Sequence, residues 1–145
     1  MKNLIPLIII IVIFVSFLPP TGGAQGARNL EISSLIIKFD KTDAEFTVRY
    51  DIGTFPRIYV LLMGGRSIEP KLRDLFSNFD YEIVKMDQEK AVLHVNNISR
   101  FEKGYYLHDS ISFRTKIKNV VMYIPGEARP SEYASLNATI NTFYH

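Results

Sequence analysis

The sequence of 145 residues contains no cysteine and no tryptophan. Without cysteine the chain cannot form a disulfide, a zinc–thiolate centre, an iron–sulfur cluster or a cysteine nucleophile. The fold must therefore be stabilised by its hydrophobic core, and 10 phenylalanines and 8 tyrosines are available to fill one. The length suits a single domain.

The sequence also lacks an excess of either charge. It carries 17 lysines and arginines against 15 aspartates and glutamates, a net charge of +2. Nucleic-acid-binding proteins usually carry a marked basic excess, so we expect no nucleic-acid partner. Low net charge, together with 47% hydrophobic residues, argues against an intrinsically disordered chain.

Motifs for catalysis and cofactor binding are missing as well. The sequence has no G-x-S-x-G nucleophile elbow, no H-E-x-x-H zinc motif and no complete phosphate-binding P-loop. We therefore expect no cofactor, and we favour a non-catalytic protein over an enzyme.

The longest apolar run lies near the N-terminus. It covers residues 4–18, follows a single charged residue, Lys2, and is ended by two prolines. A secretory hydrophobic region spans ~7–15 residues, whereas a membrane-spanning helix needs ~20. Small residues follow, with Gly22 and Ala24 at positions −3 and −1 of a cut after Ala24. We interpret residues 1–24 as a signal peptide or membrane anchor, and the short run favours cleavage.

Cleavage and retention of this segment have the same consequence for residues 25–145. If the segment is retained, residues 19–23 lengthen the apolar run enough to cross a bilayer. Lys2 before the run, with no charge after it until Arg28, orients the N-terminus inward. We therefore predict an extracytoplasmic domain, secreted or on the outer face of the cytoplasmic membrane. The membrane is a partner through this segment if it is uncleaved.

Two Asn-x-Ser/Thr sequons begin at Asn97 and Asn137. They fit an exported glycoprotein in a cell that attaches N-linked glycans. The motif is short and also arises by chance, so unmodified surface asparagines remain the alternative.

Alternation of apolar and polar residues predicts two hairpins. Residues 29–40 are predicted as a strand, and residues 44–51 alternate cleanly as a half-buried antiparallel partner. Residues 81–86 and 91–95, joined by a polar turn, are predicted as the second hairpin.

Helical signals lie between the two hairpins. In residues 67–79 the apolar positions form one stripe, with Ser67 as the predicted N-cap. Residues 58–63 are apolar throughout. Thr54 and Pro56 favour a short helix there, and a buried strand remains the alternative.

The rest of the domain is predicted to be mainly strands and loops. We expect a loop at 96–109, strands at 110–118 and 120–124, a loop at 126–138 and a last strand within 139–144. The order predicts an α+β fold. Its sheet is mainly antiparallel, with two short helices packed on one face, and the N-terminal hydrophobic helix precedes it.

Three segments carry a resemblance: IYVLLMGGRSIEP (58–70), LRDLFSNF (72–79) and NATINTFY (137–144). They resemble small, uncharacterised exported proteins of methanogenic archaea. The resemblance implies an archaeal cell-envelope setting and indicates no activity.

Histidine and aspartate could support an enzyme. His94, His108 and Asp109 are the residues that a metal site or an envelope hydrolase would use. Adjacent residues on a strand point to opposite faces, so His108 and Asp109 are poorly placed to act together. We favour ordinary hydrogen bonding for both histidines.

The segment before the second predicted helix could bind an anion. Gly64, Gly65, Arg66 and Ser67 would offer backbone N–H groups and one guanidinium. The segment lacks the length and the lysine of a P-loop, so a turn with a serine cap is the favoured alternative.

Arg114, Lys116 and Lys118 alternate along a predicted strand and should form a basic stripe on its solvent face. Such a stripe could contact anionic lipid or acidic polysaccharide. A solvated strand whose cations discourage edge-to-edge pairing is the simpler alternative.

Two aromatic pairs lie outside the regular patterns, Tyr105-Tyr106 and Phe143-Tyr144. They offer area for an envelope protein or polysaccharide partner, or else they cover an edge of the core. The sequence thus predicts an exported or membrane-tethered cell-envelope domain, most simply a non-catalytic accessory or interaction protein.

Intact-mass measurement on protein from the native cells tests the assignment of the leader. We expect a soluble species that lacks residues 1–24, because the apolar run has the length of a secretory signal. A full-length species in the membrane fraction would instead establish an anchor. Additional mass on either species would report glycan at Asn97 or Asn137.

Overall fold

The computed structural model describes residues 30–52 and 68–145. Its elements are β1 (Leu30–Asp40), β2 (Asp43–Ile52), α1 (Glu69–Leu75), β3 (Tyr81–Met86), β4 (Lys90–Val95), β5 (Arg100–Glu102), β6 (Tyr105–His108), β7 (Ser112–Tyr123), β8 (Ser131–Ala138) and β9 (Thr142–Tyr144).

The strands form two sheets. The larger has the order β3-β4-β2-β1-β7-β8, and the smaller has the order β5-β6-β9. Neighbours are antiparallel except β1 and β7, which run parallel from the Leu35–Val120 pair to the Lys38–Tyr123 pair. An α+β fold with a mainly antiparallel sheet is therefore confirmed, with the refinement that the large sheet is mixed.

The helical part of the prediction is only partly tested. The structure contains one short helix, α1, within the residues that it describes. The helix predicted at 58–63 and the N-terminal hydrophobic helix both lie outside those residues. No helix within 30–52 or 68–145 is long and apolar enough to cross a membrane.

Both predicted hairpins are confirmed. In β2 the apolar side chains Ala44, Phe46, Val48 and Tyr50 are all buried, as the alternation predicts. The β3–β4 turn is fixed by the Asp87 carboxylate, which accepts hydrogen bonds from two backbone N–H groups at 2.9 and 3.0 Å. The alternating sequence pattern therefore sets the register of the strands, and this register places the apolar side chains on the buried face of the large sheet.

A cluster of phenylalanines joins α1 to the sheet. Phe46 of β2 and Phe113 of β7 meet Phe76 and Phe79, which follow α1. The contacting ring centroids are 5.4–6.1 Å apart, a separation at which aromatic pairs attract. This cluster holds the helix against the buried face.

The helix is shorter than predicted. Its N-cap is Ile68, which makes no side-chain capping bond, and Ser67 lies outside the described residues. The helix ends at Leu75 rather than at Phe79. The apolar stripe continues beyond it because a turn, closed by the Phe79 N–H bonding the Phe76 carbonyl at 2.9 Å, keeps both rings buried.

The loop predicted at 96–109 is wrong, because that segment contains β5 and β6. Both strands are too short to show an alternating pattern. A two-residue turn joins them at Lys103 and Gly104, where φ is 51° and 93°. Positive φ at both positions is the geometry of a tight hairpin turn.

The boundaries at the C-terminal end were also wrong. The strands predicted at 110–118 and 120–124 are one strand, β7, and the loop predicted at 126–138 contains β8. Burial changes phase at Lys118–Asn119 in β7 and at Ser135 in β8, where φ is 63°. These irregularities interrupt the period of two on which the prediction relied.

Removal of one phenylalanine ring tests the aromatic cluster. We expect Phe76→Ala to lower the free energy of unfolding by about 3–5 kcal/mol, because it leaves a cavity among packed rings. Urea unfolding measures the change. Phe143→Ala is the control. It removes a ring that is 70% exposed and should change stability by less than about 0.5 kcal/mol. Equal losses in the two variants would contradict this packing.

Candidate functional site

His108 is the most buried titratable group among the catalytic candidates. It is 2% exposed at the end of β6. Its Nδ1 lies 2.8 Å from the Ile98 carbonyl oxygen, and its Nε2 lies 2.7 Å from Thr139 Oγ1. Both ring nitrogens are therefore engaged inside the protein.

These partners determine the tautomer. A carbonyl only accepts, so Nδ1–H donates to Ile98, and the neutral Nε2 accepts from the Thr139 hydroxyl. The Thr139 oxygen in turn accepts the Ile111 N–H at 2.8 Å. Burial lowers the pKa of His108, and the neutral ring fits this chain of bonds. The arrangement is that of a structural histidine.

A polar cluster, formed by His108, Thr139, Ser99 and Tyr144, lies where the small sheet meets the large one. The Tyr144 hydroxyl donates to the Lys41 carbonyl at 2.7 Å and accepts from Ser99 Oγ at 2.8 Å. The ring of Phe39 packs on both His108 and Tyr144, with centroids 5.0 and 5.4 Å apart. These contacts place the small sheet beside the β1–β2 turn.

The other two catalytic candidates point elsewhere. Asp109 is exposed and forms an ion pair with Arg100. His94 is exposed on β4, with its Nε2 3.8 Å from an oxygen of Asp43. Within residues 30–52 and 68–145, no group of three histidine, aspartate or glutamate side chains could hold a metal ion.

The candidate anion-binding segment, Gly64, Gly65, Arg66 and Ser67, lies outside the described residues. Its proposed role stays a prediction.

The two sequon asparagines are accessible, but the hydroxyl side chains at the third position of each sequon are buried. Asn97 and Asn137 are both exposed. Ser99 and Thr139, the third residues of the sequons, are buried in the polar cluster and hydrogen-bonded there. A structural role thus explains the two hydroxyls without requiring glycosylation, which remains a prediction.

The basic stripe lies on the solvent side of β7. Arg114, Lys116 and Lys118 are all exposed. Arg114 Nε donates to Ser77 Oγ at 2.9 Å, and Lys118 forms an ion pair with Glu31 of β1. The stripe therefore faces the first residues of β1 and the end of the helical region.

A groove accompanies the stripe, and we call it the basic groove. Its volume is about 450 Å³. It is lined by Leu30, Glu31, Ile32, Lys71, Leu75, Thr115, Lys116 and Lys118. Sequence reasoning missed the contributions of Lys71 and β1, because no local pattern shows that two strands separate at this place.

An exposed aromatic surface lies at the opposite end of the domain. Phe143 is paired with Leu107, and Tyr105 lies on the same side of β6 as Leu107. Phe143 is 70% exposed and Tyr105 is 48% exposed. Phe101 is 61% exposed, but it is paired with Tyr106 and so lies on the opposite face of the small sheet. We call Phe143, Tyr105 and Leu107 the aromatic surface. Tyr105 and Phe143 belong to the two predicted aromatic pairs. Leu107 was not predicted to lie with them, because only the pairing of β6 with β9 brings it beside Phe143.

Charged groups surround the aromatic surface. Arg100 lies opposite Leu107 and is paired with Asp109 and, at 3.5 Å, with Glu102. Lys103 forms the adjacent turn. The surface therefore has an apolar centre and a charged rim.

Comparisons with known proteins assign no family. The chain matches no protein-family model, and no match was found among curated proteins or among solved structures.

The buried histidine predicts a pH dependence of stability. Burial lowers the pKa of His108 in the folded state below its ordinary value of 6.5. Just below pH 6.5 the unfolded chain therefore binds more protons than the folded chain does. Stability should therefore fall as the pH falls from 7 to 5, by up to about 1.4 kcal/mol per pH unit. Urea unfolding at several pH values measures this slope.

A matched pair of variants assigns that slope. His108→Gln should remove the part that His108 contributes, whereas His94→Gln, at an exposed position, should retain it. An unchanged slope in His108→Gln would contradict the assignment.

Proposed function

We propose that this chain is an exported or membrane-tethered cell-envelope domain that acts as a non-catalytic interaction protein. The aromatic surface is the observation that supports this proposal most strongly. Its occupant is proposed to be another envelope protein.

The composition of the surface favours a protein partner. Aromatic residues and arginine are enriched at protein–protein interfaces. Such interfaces have an apolar centre and a polar rim. Phe143 and Tyr105 supply exposed rings, and Arg100 supplies the charged border. Such rings would release ordered water on contact with a partner, and this favours association.

The aromatic surface is also held in place before any partner arrives. Tyr144 and His108, on the strands that carry it, are fixed by buried hydrogen bonds. A preorganised surface loses little conformational freedom on binding, which lowers the cost of association.

Other assignments have weaker support. An envelope hydrolase or metal-dependent enzyme would need His94, His108 and Asp109 to converge, yet each is engaged with a different partner.

We further propose that residues 58–63 form a second short helix beside α1 and that the leader is a hydrophobic helix. The archaeal setting rests on the sequence resemblance.

Photocrosslinking in the native cells tests the proposal. A photoreactive phenylalanine analogue at position 143 should give a protein adduct of defined mass, because the ring would lie inside the interface. The same analogue at Val84, which is 67% exposed on β3, should not give it.

Two tyrosine variants serve as a matched comparison. Tyr105→Ser should reduce the adduct, whereas Tyr123→Ser should not, although the two side chains are 48% and 45% exposed. Equal adducts from positions 143 and 84, no adduct from either, or a polydisperse polysaccharide adduct would overturn the proposed protein partner.

A further inference from the structure

We propose that the basic groove binds the phosphate headgroup of an anionic lipid, in the membrane beside which the leader places the domain. This inference rests on the membrane-tethered form of the proposed function, in which residues 1–24 are retained as an anchor, and does not depend on the aromatic surface.

The groove exists because β1 and β7 separate. Their parallel pairing covers only Leu35–Lys38 of β1. Residues before this ladder in both strands line the groove, together with Lys71 and Leu75 of α1. The groove therefore lies where β1 and β7 are not paired.

The charges of the groove favour an anion. Lys71 of α1 and Lys116 of β7 form no ion pair within the described residues, and Lys118 forms an ion pair with Glu31. Arg114 extends the same face. Among the residues that line the groove, three lysines against one carboxylate leave an excess of positive charge around a cleft of about 450 Å³.

The floor of the groove suits a lipid. Ile32 and Leu75 are 5% and 7% exposed, and they add apolar side chains to the lining that contains the lysines. Thr115 adds a hydroxyl that can donate to a phosphate oxygen. A headgroup could thus meet the lysines while its glycerol region contacts apolar carbon.

The position of the groove identifies the membrane as the source of the anion. Leu30 lines the groove and is also the first described residue after the leader. In a retained leader, residues 24–29 can bridge at most about 20 Å, so the groove stays within reach of the bilayer. A lipid headgroup is therefore available at high local concentration, whereas an acidic polysaccharide must diffuse to the site.

Binding at the groove would orient the aromatic surface. The small sheet is attached at Lys41, beyond the far end of β1. An eleven-residue strand such as β1 spans about 33 Å. Docking through the groove would thus direct Phe143 away from the bilayer, toward partners in the envelope.

Fluorescence quenching by headgroup-labelled lipid tests the site in the full chain, leader included, reconstituted in nanodiscs. The chain has no cysteine, so Asp74→Cys beside the groove or Ala128→Cys at the far end carries a single dye. In discs containing phosphatidylglycerol we expect strong quenching at position 74 and weak quenching at position 128. The difference should disappear in phosphatidylcholine discs and at 0.5 M salt, where the Debye length is only a few ångströms.

Charge-matched variants locate the binding site. Replacement of Lys71, Lys116 and Lys118 by glutamine should lower the docking equilibrium constant about a hundredfold, since three cations near an anionic membrane are lost. Replacement of Lys38, Lys103 and Arg129 by glutamine removes the same charge from the other end and should leave docking unchanged. Phe143→Ala should also leave it unchanged, which separates this test from that of the aromatic surface.

Three results would overturn the proposal. They are equal quenching at positions 74 and 128 in anionic discs, equal docking in neutral and anionic discs, and full docking by the Lys71/Lys116/Lys118 variant. Release of the groove from anionic discs by low concentrations of alginate would identify acidic polysaccharide as the preferred occupant and would likewise overturn it.

Discussion

The short parallel ladder between β1 and β7 is the constraint on which the architecture depends. It joins Leu35–Lys38 to Val120–Tyr123 and thereby unites the N-terminal hairpin with the C-terminal strands. Parallel pairing requires a long connection between the two strands, and this connection contains α1, the second hairpin and the β5–β6 hairpin. Where the ladder stops, the strands separate and the basic groove opens. One constraint thus determines both the closure of the core and the position of a charged cleft.

The opposite end of the domain depends on buried hydrogen bonds. Tyr144 bonds Lys41 of the β1–β2 turn and also Ser99, and His108 bonds Thr139 and Ile98. Buried polar groups are costly unless they are bonded, and these groups satisfy one another. His108, which suggested catalysis, and Ser99 and Thr139, which complete the sequons, therefore have a structural role. Their polar cluster holds the aromatic surface in a fixed place.

The sequence predicted those helices and strands whose formation has a local cause in the residue pattern. Both hairpins have clear alternation or a turn signal, and the apolar stripe around Leu72 predicted a helix. It failed where the cause was an irregularity, as at Ser135 in β8, or a strand of three or four residues, as in β5 and β6. It found the cations of β7 but not Lys71 as their neighbour, because the gap between β1 and β7 is a property of the assembled sheet.

The central claim is that the domain has two functional ends, a basic groove at the membrane and an aromatic surface away from it. NMR line broadening by gadolinium-labelled headgroups, measured on the full chain in anionic nanodiscs, tests both ends at once. The account predicts the strongest broadening at residues 30–32 and 115–118 and the weakest at Tyr105 and Phe143. Uniform broadening, or the strongest broadening at the aromatic residues, would contradict it.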